Sequence, residues 1–172
     1  MWDMVDDRLG VPLDQRRDWT TGFQHYYEKA EAGMNQSIAK YYPDRPASPL
    51  PMALPVEAYS GTYFHPGYLN FTVQLAGDMD KKHILRDNIT LAAIRADATW
   101  PSMNLFEHVS GEYWMMYQYY LGSPQGPTQE YAPAQFEIGP DGRVARMGIT
   151  WLAVSPGKED TVEGLVWFDK ID

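Results

Sequence analysis

From Tyr59 to the end of the chain, apolar and polar residues alternate in short runs, and Gly, Pro and Asp interrupt them about every 8 to 12 residues. Few folds accept this rhythm. A period of two sends successive side chains to opposite faces of a strand, and the evenly spaced breaks turn the chain back before a helix can form. Strands are expected at residues 61–65, 68–75, 88–95, 102–109, 112–120, 134–138, 143–152 and 164–168. In the second, Leu69, Phe71, Val73 and Leu75 alternate with Tyr68, Asn70, Thr72 and Gln74, so one face is buried and the other wet. Ser110-Gly111 and Gly139-Pro140-Asp141-Gly142 have the composition of hairpin turns. Eight up-and-down strands close into a barrel just wide enough to be filled by side chains or to hold one small ligand. The expected fold is therefore mainly β, an eight-stranded antiparallel β-barrel.

The first third of the chain has a different period. Trp19, Phe23, Tyr26 or Tyr27, Ala30, Met34, Ile38 and Tyr41 follow steps of three and four, which predicts one long amphipathic helix over 13–41. Pro12 suits its first turn, and Asp14 sits where the positive end of a helix dipole favours a carboxylate. A shorter helix is expected over 2–9, stopped by Gly10. Pro43, Pro46, Pro49, Pro51 and Pro55 can propagate neither a helix nor a central strand, so this stretch reads as an extended strap. The expected organisation is helices and strap over 1–55, packed on a barrel over 56–172.

Charge and composition narrow the partners. With 14 Lys and Arg against 23 Asp and Glu, the formal net charge is −9, and no basic cluster exceeds two neighbours. A nucleic-acid reader needs a cationic face to neutralise phosphates, so nucleic acid is not an expected ligand. No apolar run approaches the ~18 residues of a membrane span. The acidic start Met1-Trp2-Asp3-Met4-Val5-Asp6-Asp7 lacks the basic-then-apolar order of an export signal; the sequence as written reads as cytoplasmic, with localisation left open. Sequons at Asn35, Asn70 and Asn88 would fit secreted ancestry. The absence of Cys removes disulfides, thiolate metal sites and a Cys nucleophile. His25, His65, His83 and His108 have no second His or carboxylate at ligand spacing, so no metal and no cofactor are expected.

Three short motifs invite a hydrolase reading. Ser37-Ile38-Ala39-Lys40 matches S-x-x-K, Tyr68-Leu69-Asn70 matches Y-x-N, and His65-Pro66-Gly67 matches H-x-G. The last two are contiguous, however, and cannot approach a substrate from opposite sides of a cleft, while Ser37 and Lys40 lie near the end of the predicted helix. The motifs therefore read as chance matches. A broader pattern is more informative. Leu9-Gly10-Val11-Pro12, Asp18-Trp19, Tyr41-Tyr42-Pro43-Asp44, Pro49-Leu50-Pro51, the run from Leu54 to Tyr68, and His108-Val109-Ser110-Gly111-Glu112-Tyr113-Trp114 lie in a fixed order over nearly the whole chain. In order and spacing they resemble the C-terminal part of fungal β-lactamase-related (penicillin-binding-protein-like) serine hydrolases. The resemblance implies a lipocalin-like barrel that follows the catalytic serine domain in that family, so the family's hydrolase residues would have no counterparts here.

Residues 113–120, Tyr-Trp-Met-Met-Tyr-Gln-Tyr-Tyr, carry large amphipathic side chains on both faces. A strand sandwiched between barrel interior and helix would account for this, and so would a ligand pocket in which Tyr and Trp tips orient an apolar guest against adaptable Met walls. The two accounts are compatible, since each face could serve one. The expected ligand wall is Phe71, Asn104, Phe106, Trp114, Met116, Tyr119, Met147 and Trp151, with Tyr117, Gln118 and His108 as the expected catalytic groups. Such a barrel would enclose an apolar small molecule and, lacking a cofactor, act only by shaping and polarising it. That suits a cyclase or isomerase of Diels–Alder type, in which a held conformer and a hydrogen bond to a carbonyl lower the barrier. The rival expectations are a non-catalytic accessory domain of a serine hydrolase and a small-molecule carrier; self-association into a homo-oligomer stays open.

Overall fold

The computed structural model describes residues 2–80, 84, 86–122, 130–150 and 164–172. Eight antiparallel strands follow one another around a closed barrel: β1 (Gly61–His65), β2 (Leu69–Leu75), β3 (Ile89–Arg95), β4 (Ser102–Ser110), β5 (Tyr113–Tyr120), β6 (Glu130–Ile138), β7 (Val144–Ile149) and β8 (Val166–Lys170). Closure is made by β1 against β8, with Tyr63 opposite Lys170 and Phe64 opposite Asp169. Every expected strand is present, although β2 and β3 pair only at Gln74–Ala92 and Leu75–Leu91. The largest shift is in β6, which runs through Pro133 to begin at Glu130 instead of 134; the Pro133 carbonyl accepts from Thr150 N at 3.0 Å.

Parity and register sort the side chains into layers. Leu91, Phe106, Met116 and Ala132 are cross-strand partners in one inner row. His108, Trp114, Ala134 and Ile149 form another, nearer one end. Around them Tyr63, Phe71, Phe136, Met147 and Phe168 complete the inner core. Ring centroids of Trp114, Phe136, Tyr59 and Tyr63 lie 5.2–5.8 Å apart, and Phe71 stands 5.7 Å from Phe168 and 6.1 Å from Phe106, mostly edge to face. These are favourable aromatic geometries. Phe71, Phe106, Trp114, Met147 and Phe168 are fully buried. These side chains pack against one another in the barrel's inner core.

The proline strap closes one end. Leu50 N donates to Ser110 Oγ at 3.0 Å and Gly111 N to Leu50 O at 2.9 Å, while Ala53 N and Tyr59 Oη both donate to Glu112 Oε1. Met52, Leu54 and Val56 pack onto the inner core beside the fully buried Tyr59. Gly111, at φ +56°, makes the tight β4–β5 turn that brings Ser110 and Glu112 under the strap.

The predicted long helix is broken. A 3-10 turn at Leu13–Gln15 is followed by extended Arg16, whose side chain holds the Val11 carbonyl at 2.9 Å and Asp7 at 2.7 Å, tying back α1 (Trp2–Leu9). Asp18 then caps α2 (Trp19–Asn35) by accepting from Thr21 N at 2.9 Å, a contact that lowers its carboxyl pKa. Capping thus falls to Asp18, not to the Pro12–Asp14 turn. A second break at Gln36 starts α3 (Ser37–Tyr41). Only the C-terminal end of the apolar stripe reaches the barrel: Met34, Ile38, Tyr41 and Tyr42 pack on its outer wall, whereas Phe23 and Tyr26 are exposed.

Candidate functional site

Opposite the strap, the barrel interior turns polar. One row beyond Phe106 and Met116, Asn104 of β4 faces Gln118 of β5, and Gln118 faces Glu130 of β6; Ala93 of β3 extends the row. The next row contains Arg95, Ser102 and Tyr120. Asn104 is fully buried and Gln118 is 7% exposed. Asn104 Nδ2 donates to Ser102 Oγ at 3.3 Å, but Asn104 Oδ1 and Gln118 Oε1 are buried without a hydrogen-bond partner among the described residues. Buried polar atoms in native proteins are almost always paired, because an unmade bond costs the full desolvation of the group. Single unmet atoms also occur elsewhere, at Thr90, Glu112 and Trp114 among others, but Asn104 and Gln118 place two unmet acceptors opposite each other in one row.

Glu130 accepts from Tyr120 Oη at 3.3 Å. Burial raises its carboxyl above the ordinary 4.5, and the Tyr120 hydrogen bond offsets part of that rise. The folded state then holds this proton more tightly than the unfolded chain. Its contribution to stability is complete below pH 4.5 and is lost as pH rises through the folded value. Glu130→Gln is accordingly expected to flatten the fall in denaturation midpoint over that window, compared with wild type by urea titration at a series of pH values. An unchanged slope would show that Glu130 is not the group responsible. At the rim Tyr120 pairs with the exposed ring of Trp100 at 6.1 Å, and both border a cavity of about 450 Å³ with Leu121 and Gly122. Arg95, on the far side, is engaged by Asp97 at 3.0 Å and by the Tyr68 carbonyl at 2.7 Å.

Of the residues expected from sequence, Asn104 and Gln118 come together here, and Phe106 and Met116 form the layer directly beneath. Phe71, Trp114 and Met147 belong to the inner core. His108 shares the inward parity but sits at the strap end, its Nε2 2.9 Å from Gly111 O and its ring 5.1 Å from Trp114, away from Gln118. Tyr117 and Tyr119 alternate with Gln118 on β5 and so face outward, under α2 and α3; they do not join Gln118 in one site. Trp151 lies outside the described residues. The sequence reading missed Ser102, Tyr120 and Glu130. Asn104 and Gln118 share a row with Glu130 only once the β5–β6 register is known, and Pro133 hid that register by shortening the predicted strand.

Ser37 is also resolved. It is fully buried, its Oγ lies 3.2 Å from Tyr117 Oη, and Tyr117 Oη donates to Glu107 Oε2 at 3.1 Å. Burial pushes the Tyr117 phenol up to about 12, so near neutrality it is a hydroxyl and not a base. Lys40 is exposed, with its ammonium over the Tyr41 ring. Ser37 thus fastens α3 to β5. Ser37→Ala is expected to cost only about 1 kcal/mol in a denaturant titration, since Tyr117 keeps Glu107 as partner; a loss of several kcal/mol would point to a larger role. Among the described residues no group of three His, Asp or Glu could hold a metal ion, and no helix is long and apolar enough to cross a membrane.

A second concavity, of about 380 Å³, lies outside the barrel between Tyr42, Pro46, Leu50 and Tyr113. Its floor is structural: Tyr42 Oη donates to the carbonyls of Trp114 at 2.8 Å and Ala134 at 3.3 Å, bridging β5 and β6.

Fold and site together define a closed, up-and-down, eight-stranded barrel with a plugged end and a polar end. The chain belongs to the family described as a domain of unknown function, DUF3471, whose profile matches residues 45–164. It is 30% identical over 152 residues to "Unguisins hydrolase ungD" of Aspergillus violaceofuscus, covering 88% of this chain and 25% of that protein. It is 28% identical over 151 residues to "Unguisins hydrolase ungD'" of Aspergillus campestris, covering 88% and 26%. The chain thus spans about a quarter of the length of these curated relatives. No solved structure matches it significantly.

Proposed function

We propose that this chain is a non-catalytic recognition barrel, accessory to hydrolase chemistry of the β-lactamase-related type, that seats the polar group of a small, otherwise apolar molecule at its polar end. The observation that carries this reading is the pair of buried carboxamides, Asn104 and Gln118, each with an unmet oxygen, beside the half-buried carboxylate of Glu130. The relatives support the accessory part, because this region makes up only about a quarter of proteins named as hydrolases. Burial of Phe71, Phe106, Trp114, Met116 and Met147 in one packed cluster favours recognition at the polar end over a cyclase chamber walled by them.

Two measurements test it. Incubated with p-nitrophenyl acetate and with nitrocefin, the protein is expected to give no turnover above buffer; turnover lost in Ser37→Ala would restore the serine-hydrolase reading. In a ligand-observed NMR screen of small polar-headed fragments, hits are expected to weaken in Asn104→Leu. Hits that bind both forms alike would place recognition elsewhere.

A further inference from the structure

We propose that the Asn104–Gln118–Glu130 row is a site for a protonated primary amine, an inference that rests on the recognition-barrel reading and names its ligand class. The three residues lie on adjacent strands, so their side chains leave the wall about 4.8 Å apart. Each presents oxygen. Asn104 Oδ1 and Gln118 Oε1 lack donors among the described residues, and Tyr120 supplies Glu130 with one donor where a carboxylate has about four acceptor sites. An ammonium has three donors and no acceptor, the complement of such a row.

Charge points the same way. Glu130 has no ion-pair partner among the described residues, and burial alone accounts for the rise in its carboxyl. Arg95, at the same end, is already held by Asp97 and by a backbone carbonyl. A carboxylate or phosphate ligand would meet acceptors and a like charge here. A neutral amide would supply donors but leave Glu130 uncompensated. An ammonium supplies both donors and charge, and its hydrogen bond to a carboxylate is of the stronger, charge-assisted kind. The rings of Tyr120 and Trp100 at the rim add π-faces favourable to a cation and cover for an alkyl chain.

The probes are n-hexylammonium, hexanamide and hexanoate, which share a chain and differ in head group. Each is titrated at physiological ionic strength into the ¹⁵N-labelled protein, following the side-chain amide signals of Asn104 and Gln118. Hexylammonium is expected to move both signals saturably and to bind about tenfold or more tighter than either other probe. Glu130→Gln, which keeps an acceptor for Tyr120, is expected to weaken hexylammonium by about tenfold or more while folding normally by far-UV circular dichroism. Equal binding in Glu130→Gln, or a preference for hexanamide or hexanoate, would overturn the amine assignment and leave the recognition barrel standing. If no probe moves the Asn104 and Gln118 signals, both fall together.

Discussion

Trp114→Ala is expected to remove about 3–5 kcal/mol of stability, a large share of the ~5–15 kcal/mol that holds a domain of this size. The indole is fully buried between Tyr59 at 5.8 Å, Phe136 at 5.6 Å and His108 at 5.1 Å. Removing it strips the strap of the surface on which Tyr59 rests, and the closed wall around the site cannot collapse into the gap. Part of the loss is the transfer free energy of the side chain, and part is the cavity it leaves. A urea titration should show the midpoint falling sharply with little change in slope, while Trp114→Phe, which refills most of the volume, should recover a good part of it. A cost below about 1 kcal/mol would mean that the ring borders empty space, as the hollow barrel of a cyclase requires.

Asn104→Leu is expected to act in the opposite direction. It removes a buried amide whose oxygen has no partner among the described residues and replaces it with an apolar group of similar size, one row from the Phe106–Met116 layer. Relieving one such atom should stabilise the barrel by about 1–3 kcal/mol, less the lost bond to Ser102. The same change should abolish amine binding. Stability gained as recognition is lost is the behaviour of a residue kept for a ligand and not for the fold. Destabilisation by more than about 1 kcal/mol would instead show that the Asn104 amide supports the barrel.

How much of this could be read from the sequence depended on which interactions were local. Alternation in Phe71-Thr72-Val73 fixes which face is buried, although Leu69, expected on that face, is exposed where the strand starts beyond the core, and Ser110-Gly111 fixes a hairpin, so eight strands and their order followed from neighbours in the chain. The helix broke at residues 16–18 because Arg16 turns back to Asp7 and Val11, a contact that apolar spacing cannot reveal. Exposed Phe23 and Tyr26 keep helical spacing without a barrel wall beneath them. At the site, parity groups Asn104 and Phe106 with His108, and on β5 the same alternation separates Trp114, Met116 and Gln118 from Tyr117 and Tyr119, although the expected site drew on both faces. The two tyrosines have the same composition as their neighbours and differ only in face. Whether the interior is full or hollow depends on summed side-chain volumes around a closed sheet, and Glu130 depends on register across a proline. Both are long-range properties.

The central proposal is that the polar end of the barrel, at Asn104, Gln118 and Glu130, is where this protein meets its ligand. A ¹⁵N-detected titration of the wild-type protein with n-hexylammonium, mapped over every assigned backbone and side-chain amide, tests it most directly. The account predicts saturable shifts confined to the Asn104 and Gln118 carboxamides and to the backbone around Tyr120 and Glu130. Shifts centred on the Trp114–Phe136 interior, or on the Tyr42–Tyr113 groove, would contradict it.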